Sequence, residues 1–138
     1  MLDLKALLAK ILTKATFFEL IWTNPNGNSQ TSTMGETTIT ISKPMELYSG
    51  FMIEFRCFYN SGDKTYGFNF MGMSGMYSRI MATRTTGNPI YEYARIWYPS
   101  AEYKIYMSDC TRIMGNHANV IGEDTGCLVP IRIWGIKI

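Results

Sequence analysis

The chain has 138 residues, a formal net charge of +2 and 14% aromatic residues, among them nine tyrosines and seven phenylalanines. That length suits a single domain able to bury about two-thirds of its unfolded surface. Its basic residues are scattered rather than clustered, which speaks against a nucleic-acid binder, and there is no charge block, low-complexity tract or solenoid-length repeat.

The opening stretch "MLDLKALLAKILTK" (1–14) is apolar but interrupted. Asp3 precedes the first lysine, Lys5 and Lys10 break the apolar run, and no small-residue cleavage site follows. A secretory signal is therefore not expected. A membrane helix needs about 20 mainly apolar residues, and the sequence offers no such window. What remains is an amphipathic helix. Leu4, Leu7, Leu8, Ile11, Leu12 and Ala15 fall at i, i+3, i+4, i+7, i+8 spacing and form one apolar stripe. Asp3 sits where a helix start favours negative charge, and Lys10 and Lys14 sit near its end. A helix about 18 Å long is marginal alone in water, so the stripe must bury against the protein's own body or against other copies. The spacing of Leu4, Leu8 and Ile11 fits a short coiled-coil seam. Residues 1–16 are read as an oligomerisation helix contacting through Leu4, Leu7, Leu8, Ile11 and Leu12, and residues 17–138 as a β-domain.

After residue 18 the helical period gives way to strands. "ELIWTN" (19–24) runs into an Asn-Pro-Asn-Gly turn signal. "ETTITI" alternates, with Ile39 and Ile41 on one face. "FMIEFRCFY" (51–59) is the clearest strand: Phe51, Ile53, Phe55, Cys57 and Tyr59 share an inward face, while Met52, Glu54, Arg56 and Phe58 give a mixed, partly solvated one. "NSGDK" then turns the chain. Further strands are expected at "YGFNFM", "YSRIMATR", "IYEYARIWY", "EYKIYMSD" and "LVPIRIWGIKI". Isoleucines and Trp134 occupy both faces of the last, which predicts an interior strand with Pro130 near its start or at an edge. Short strands at this spacing indicate an antiparallel β-sandwich or jelly roll, mainly β, preceded by the short helix.

Little of the sequence carries reaction chemistry. His117 is the only histidine, which removes metal sites built on two or three histidines of one chain. Cys57, Cys110 and Cys127 show no CxxC spacing, so no metal or cofactor is assigned. Cys57 reads as a small core residue. Cys110 and Cys127 flank a long loop and could bridge, but with no export signal to imply an oxidising compartment free thiols are the favoured reading. Asp109, Cys110 and His117 lie close together in the manner of a thiol and its base, yet a strand-end cysteine and a loop histidine are the stronger account of them. There is no phosphate-cradling glycine loop and no GxSxG elbow. Nothing singles out a carboxylate pair among the eleven acids. A non-catalytic protein is expected. The methionines between 71 and 81 alternate with glycine and read as flexible filling.

Two features suggest a ligand surface. Tyr91, Tyr93 and Trp97 alternate on one strand face, with Tyr98, Tyr103 and Tyr106 close behind. Such rings pack across sheets, the favoured reading of the cluster, or, if exposed, stack on the apolar faces of sugars. The longest polar stretch, "GNHANVIGEDTG" (115–126), offers Asn116, His117, Asn119, Glu123 and Asp124 to sugar hydroxyls. Its plain alternative is a solvated connection between strands.

The segments Trp22–Thr23–Asn24, Ile53 to Arg56 and Pro130 to Ile136, behind a short N-terminal helix, together resemble a set of short phage and prophage structural proteins of gut bacteria. Those carry "WTN", a central "I-E-F-R" strand and a closing Pro-x-x-Ile-Tyr/Trp-Gly-Ile segment. The likeness spans about a third of the chain, and residues 60–126 carry no match. It implies a virion component without catalytic residues: an oligomer, with a trimer expected, of tail-fibre or tail-tip type. Such a protein meets other virion proteins and assembles in the host cytoplasm for release by lysis, with attachment to a host-surface glycan through the β-domain as the favoured role. A head-decoration or baseplate part, a bacterial carbohydrate-binding module and, more distantly, a small β-sandwich enzyme are the alternatives.

Overall fold

The structure is a computed structural model that describes residues 3–7, 17–26, 33–57, 66–72, 77–84, 91–114, 120–123 and 126–137. Of these, Tyr66, Arg84, Tyr91, Ile113, Met114 and residues 120–123 are described by their backbone alone. The strands are β1 (Phe18–Thr23), β2 (Thr37–Thr40), β3 (Gly50–Arg56), β4 (Tyr66–Gly72), β5 (Ser78–Arg84), β6 (Tyr91–Ala101), β7 (Lys104–Met107), β8 (Thr111–Met114), β9 (Val120–Glu123) and β10 (Val129–Ile136). The protein is mainly β, with two antiparallel sheets.

The first sheet has the order β1-β10-β3-β4. The terminal strand β10 is thus interior, and Pro130, its second residue, sits at a register irregularity where its missing N–H is tolerated. In the second sheet, of order β2-β7-β6-β8-β9, β6 is the long central strand and β5 pairs with it along Tyr91–Trp97. Its other edge is shared by β7, opposite residues 97–101, and β8, opposite residues 91–94. β7 and β8 are therefore one strand interrupted at residues 108–110. One hydrophobic cluster takes side chains from both sheets, including Ile21, Phe51, Ile53, Phe55 and Ile133 of the first and Ile39, Ile80, Trp97, Ile105 and Met107 of the second.

Phe51, Ile53, Phe55 and Cys57 face this core as their alternation predicts. The opposite face of β3 departs from expectation, because Glu54 and Arg56 are buried rather than partly solvated. β3 is flanked on both sides, by β10 and β4, and Arg132 of β10 forks onto the Glu54 carboxylate at 2.6 and 3.2 Å. Residues 115–126 are also not all loop. Val120 and Ile121, a β-branched pair inside a polar stretch, start β9, which pairs with β8 and places Glu123 opposite Thr111. Cys57, Cys110 and Cys127 are thiols, all buried, and burial pushes the Cys57 thiol up.

At the N-terminus one helical turn is described, residues 4–7, with the Asp3 carboxylate accepting from the N–H groups of Lys5 and Ala6 at 3.0 and 3.3 Å. Leu4 and Leu7 are exposed there; Leu8, Ile11, Leu12 and Ala15 lie outside the described residues. No helix among the described residues is long and apolar enough to cross a membrane.

One polar side chain organises the interior. Arg95, on the inward face of β6 between Tyr93 and Trp97, is completely buried. Its guanidinium donates to four backbone carbonyls: Ser108 at 2.8 Å, Met34 at 2.7 Å, Cys127 at 3.3 Å and Gly35 at 3.4 Å. Burial pulls its pKa below the ordinary arginine value, while Cys110, Asp109 and Cys127 oppose that pull. An arginine does not shed its proton in a protein, so carbonyl dipoles must meet the charge. The next residue after one of these acceptors, Leu128, holds a left-handed backbone (φ 50°) although it is not glycine, and its side chain is fully buried.

Two substitutions test this interior. Phe55 lies across Gly67, where an added Cβ would come within 2.5 Å of its ring, and Phe55→Ala should cost about 3–5 kcal/mol in denaturant unfolding. Arg95→Met fills similar space but strands the four carbonyls; the same measurement should give a loss of about 3–5 kcal/mol.

Candidate functional site

The bulge between β7 and β8 has an outer side as well as an inner one. Here the Ser108 side chain stands in for a ladder carbonyl: the Ile96 N–H donates to Ser108 Oγ at 2.9 Å, and that hydroxyl donates to the Asp109 carbonyl at 2.8 Å. The Ser108 N–H still reaches the Ile96 carbonyl at 2.9 Å. The chain is thereby re-aimed without losing its pairing, a common role of bulges beside binding sites.

Outside this bulge lies a recess of about 260 Å³. Its floor is Ala94 and Ile96 of β6, and its walls are Arg79 of β5, Tyr106 of β7, Ser108 and Asp109 of the bulge, Thr111 of β8 and Glu36 just before β2. The polar groups are pre-set. Tyr106 donates its hydroxyl to Glu36 Oε1 at 2.7 Å, and the Glu36 N–H donates to Asp109 Oδ1 at 2.5 Å. Thr111 donates to the Ala94 carbonyl at 3.2 Å. Tyr98 packs on Tyr106, its cross-strand partner, with ring centroids 4.8 Å apart and a 35° tilt. The carboxylate of Glu36 is the main cause holding the Tyr106 phenol up at about 12.

The recess differs from the site expected on sequence. Tyr93 and Trp97 do not form a stacking surface, because they point inward with Arg95 and are 3% and 0% exposed; Trp97 donates its indole N–H to Asn69 Oδ1 at 2.7 Å. Tyr98 and Tyr106, partly exposed beside the recess, belong to the opposite strand phase. Tyr91 and Glu123 are strand positions whose side chains lie outside the described part, as do Asn116, His117, Asn119 and Asp124 altogether. Cys110 is fully buried beneath the bulge, so its thiol is not presented at the recess. Glu36, Arg79, Tyr106, Asp109 and Thr111 were not legible as a site. The one cue was the break in alternation at "SDC" (108–110) between two apolar runs. Among the described residues, no group of three or more His, Cys, Asp or Glu could hold a metal ion.

A second surface is apolar. On the outer side of the first sheet, Leu20, Trp134, Met52 and Phe70 are successive cross-strand partners. Phe18, Leu20, Phe68 and Phe70 are each about half exposed, and Phe68 leans on Trp134 at 6.4 Å. Isolated soluble domains seldom leave so continuous an apolar face in water.

No family model, no curated protein and no solved structure matches the chain.

The Tyr106–Glu36 bond has a readable titration. Tyr106 ionises at about 12 rather than at the ordinary 10, so the bond's contribution is complete below about pH 10 and is lost as pH rises through about 12. In tyrosine-labelled NMR, Glu36→Gln should move this one phenol back toward 10 and leave the other rings unchanged.

Proposed function

We propose that the protein is a non-catalytic structural component of a phage virion, of tail-fibre or tail-tip type, that attaches to the host cell surface through its β-body. In this reading the two sheets form a sandwich, residues 1–16 join three copies through Leu4, Leu7, Leu8, Ile11 and Leu12, and the assembly forms in the host cytoplasm beside other virion proteins.

The observation that carries the reading is the contiguity of the three segments resembling phage proteins. They fall on β1, β10 and β3, which are neighbours in one sheet. Their signature residues also touch one another. Asn24 of "WTN" donates its side-chain N–H to the Pro130 carbonyl at 2.9 Å, and its backbone N–H to the Ile131 carbonyl at 2.8 Å. Glu54 of "IEFR" holds Arg132 of "PIRIWGI", and Arg132 in turn lies over the Trp134 ring at 5.6 Å. Gly135 leaves room for the Tyr48 ring, which a Cβ there would approach within 2.3 Å. Tyr48 donates to Glu19 of β1 at 2.8 Å, and Glu19, also bonded to Lys43 and Lys137, is held down at about 2. Residues that look like unrelated motifs are thus one packing unit, as expected of a shared scaffold rather than of chance matches.

Two further features support an assembled protein: the exposed Leu4 and Leu7 and the apolar outer face of the first sheet. The second reading, a bacterial carbohydrate-binding module, is favoured by the recess alone and would be monomeric. Immunogold labelling of particles released from a lysogen carrying the gene should place the protein on tails; particles without label would overturn the virion reading. Sedimentation of the purified chain should give a trimer at micromolar concentration, dissociated by Leu8→Asp, whereas a monomer would favour the module.

A further inference from the structure

We propose that the recess outside the β7–β8 bulge is a subsite for one neutral pyranose unit of a surface polysaccharide. The proposal deepens the attachment reading by naming the ligand class, and the chemistry rests on the recess alone. A volume of about 260 Å³ lies just below the usual range for drug-sized ligand pockets, which suits a single sugar unit.

The groups around it match a polyol. Glu36 and Asp109 each have one carboxylate oxygen engaged, by the Tyr106 hydroxyl and by the Glu36 N–H, and each keeps its second oxygen for a ligand. Arg79 lines the opposite wall and makes no ion pair among the described residues, so its guanidinium donors are also available. Acceptors on one side and donors on the other suit sugar hydroxyls, which both give and accept hydrogen bonds. The floor of Ala94 and Ile96 with the Tyr106 ring meets the apolar C–H face of a pyranose.

Charge selects among sugars. Two carboxylates and one guanidinium line the recess, and Arg95 beneath the bulge is spent on backbone carbonyls, so a uronic acid, sialic acid or phosphate would meet more exposed carboxylate than free cation. The neutral sugar is the class the recess accepts. Binding at one subsite should be weak, about millimolar, and gain strength through several copies.

The test uses the intact protein with glucose, galactose, rhamnose and N-acetylglucosamine, and with glucuronic acid as the anionic comparator, by saturation-transfer NMR and titration calorimetry. At least one neutral sugar should show transfer and outcompete glucuronic acid. Arg79→Ala and Glu36→Ala should each weaken it about tenfold, the loss of one hydrogen bond to a charged group. Arg79 is exposed and outside the core, so Arg79→Ala should melt at the parent temperature, which separates lost binding from lost folding. No transfer from any neutral sugar, equal binding by both variants, or preference for glucuronic acid would overturn the subsite. If sugars bind as expected but the protein is absent from virions, the attachment reading falls and the subsite stands. If the protein is on tails yet binds no neutral sugar, the subsite alone falls.

Discussion

A cation that cannot lose its proton, placed where no water reaches it, constrains the rest of this protein. Arg95 sits at the middle of the longest strand, and its charge is met by carbonyls from three separate stretches: 34–35 ahead of β2, 108 between β7 and β8, and 127 ahead of β10. These stretches are far apart in sequence and belong to both sheets. Leaving any of them out would strand charge in a low-dielectric interior, at a cost of several kcal/mol per ion. The convergence therefore holds three chain segments in register around β6.

The same constraint shapes the surface. Arg95 takes the Ser108 carbonyl from inside, so the strand formed by β7 and β8 cannot run straight past β6. Ser108 repairs the ladder with its own hydroxyl, and Asp109 is turned toward Glu36 and Tyr106. The recess is thus the outer side of a bulge whose inner side is fixed by a buried guanidinium. Binding groups held by such a support lose little freedom on meeting a ligand, which favours affinity.

The first sheet follows a different logic. Its central pair, β3 and β10, is joined across the outer face by the Glu54–Arg132 fork, and its Gly135 gap admits the Tyr48 ring that closes onto Glu19. Around these polar links the face is apolar and open. A face that combines fixed ion pairs with half-exposed phenylalanines suits burial against further protein, whereas the recess of the second sheet suits a small polar ligand. The two sheets thus differ in outer surface, apolar on the first and polar and recessed on the second.

Alternation along the chain determined much of this architecture. The inward set of β3, the interior position of β10 and the place of Pro130 within it follow from local side-chain order, because period-two burial and the missing proline N–H act over a few residues. The helix start at Asp3 is local for the same reason. Tertiary structure alone decided what depends on distant partners. The phase of β6 is the clearest case: Tyr91, Tyr93 and Trp97 on one face and Ala94, Ile96 and Tyr98 on the other are equally good strand residues, and an arginine in the first set points toward solvent by local rules. Only the convergence of carbonyls from residues 34, 35, 108 and 127 makes the arginine face the buried one. That choice sends Trp97 into the core and leaves Tyr98 and Tyr106 outside. Glu36, Arg79 and Asp109 meet for the same reason: they lie on segments that no local pattern connects, and sheet pairing around one buried charge brings them together.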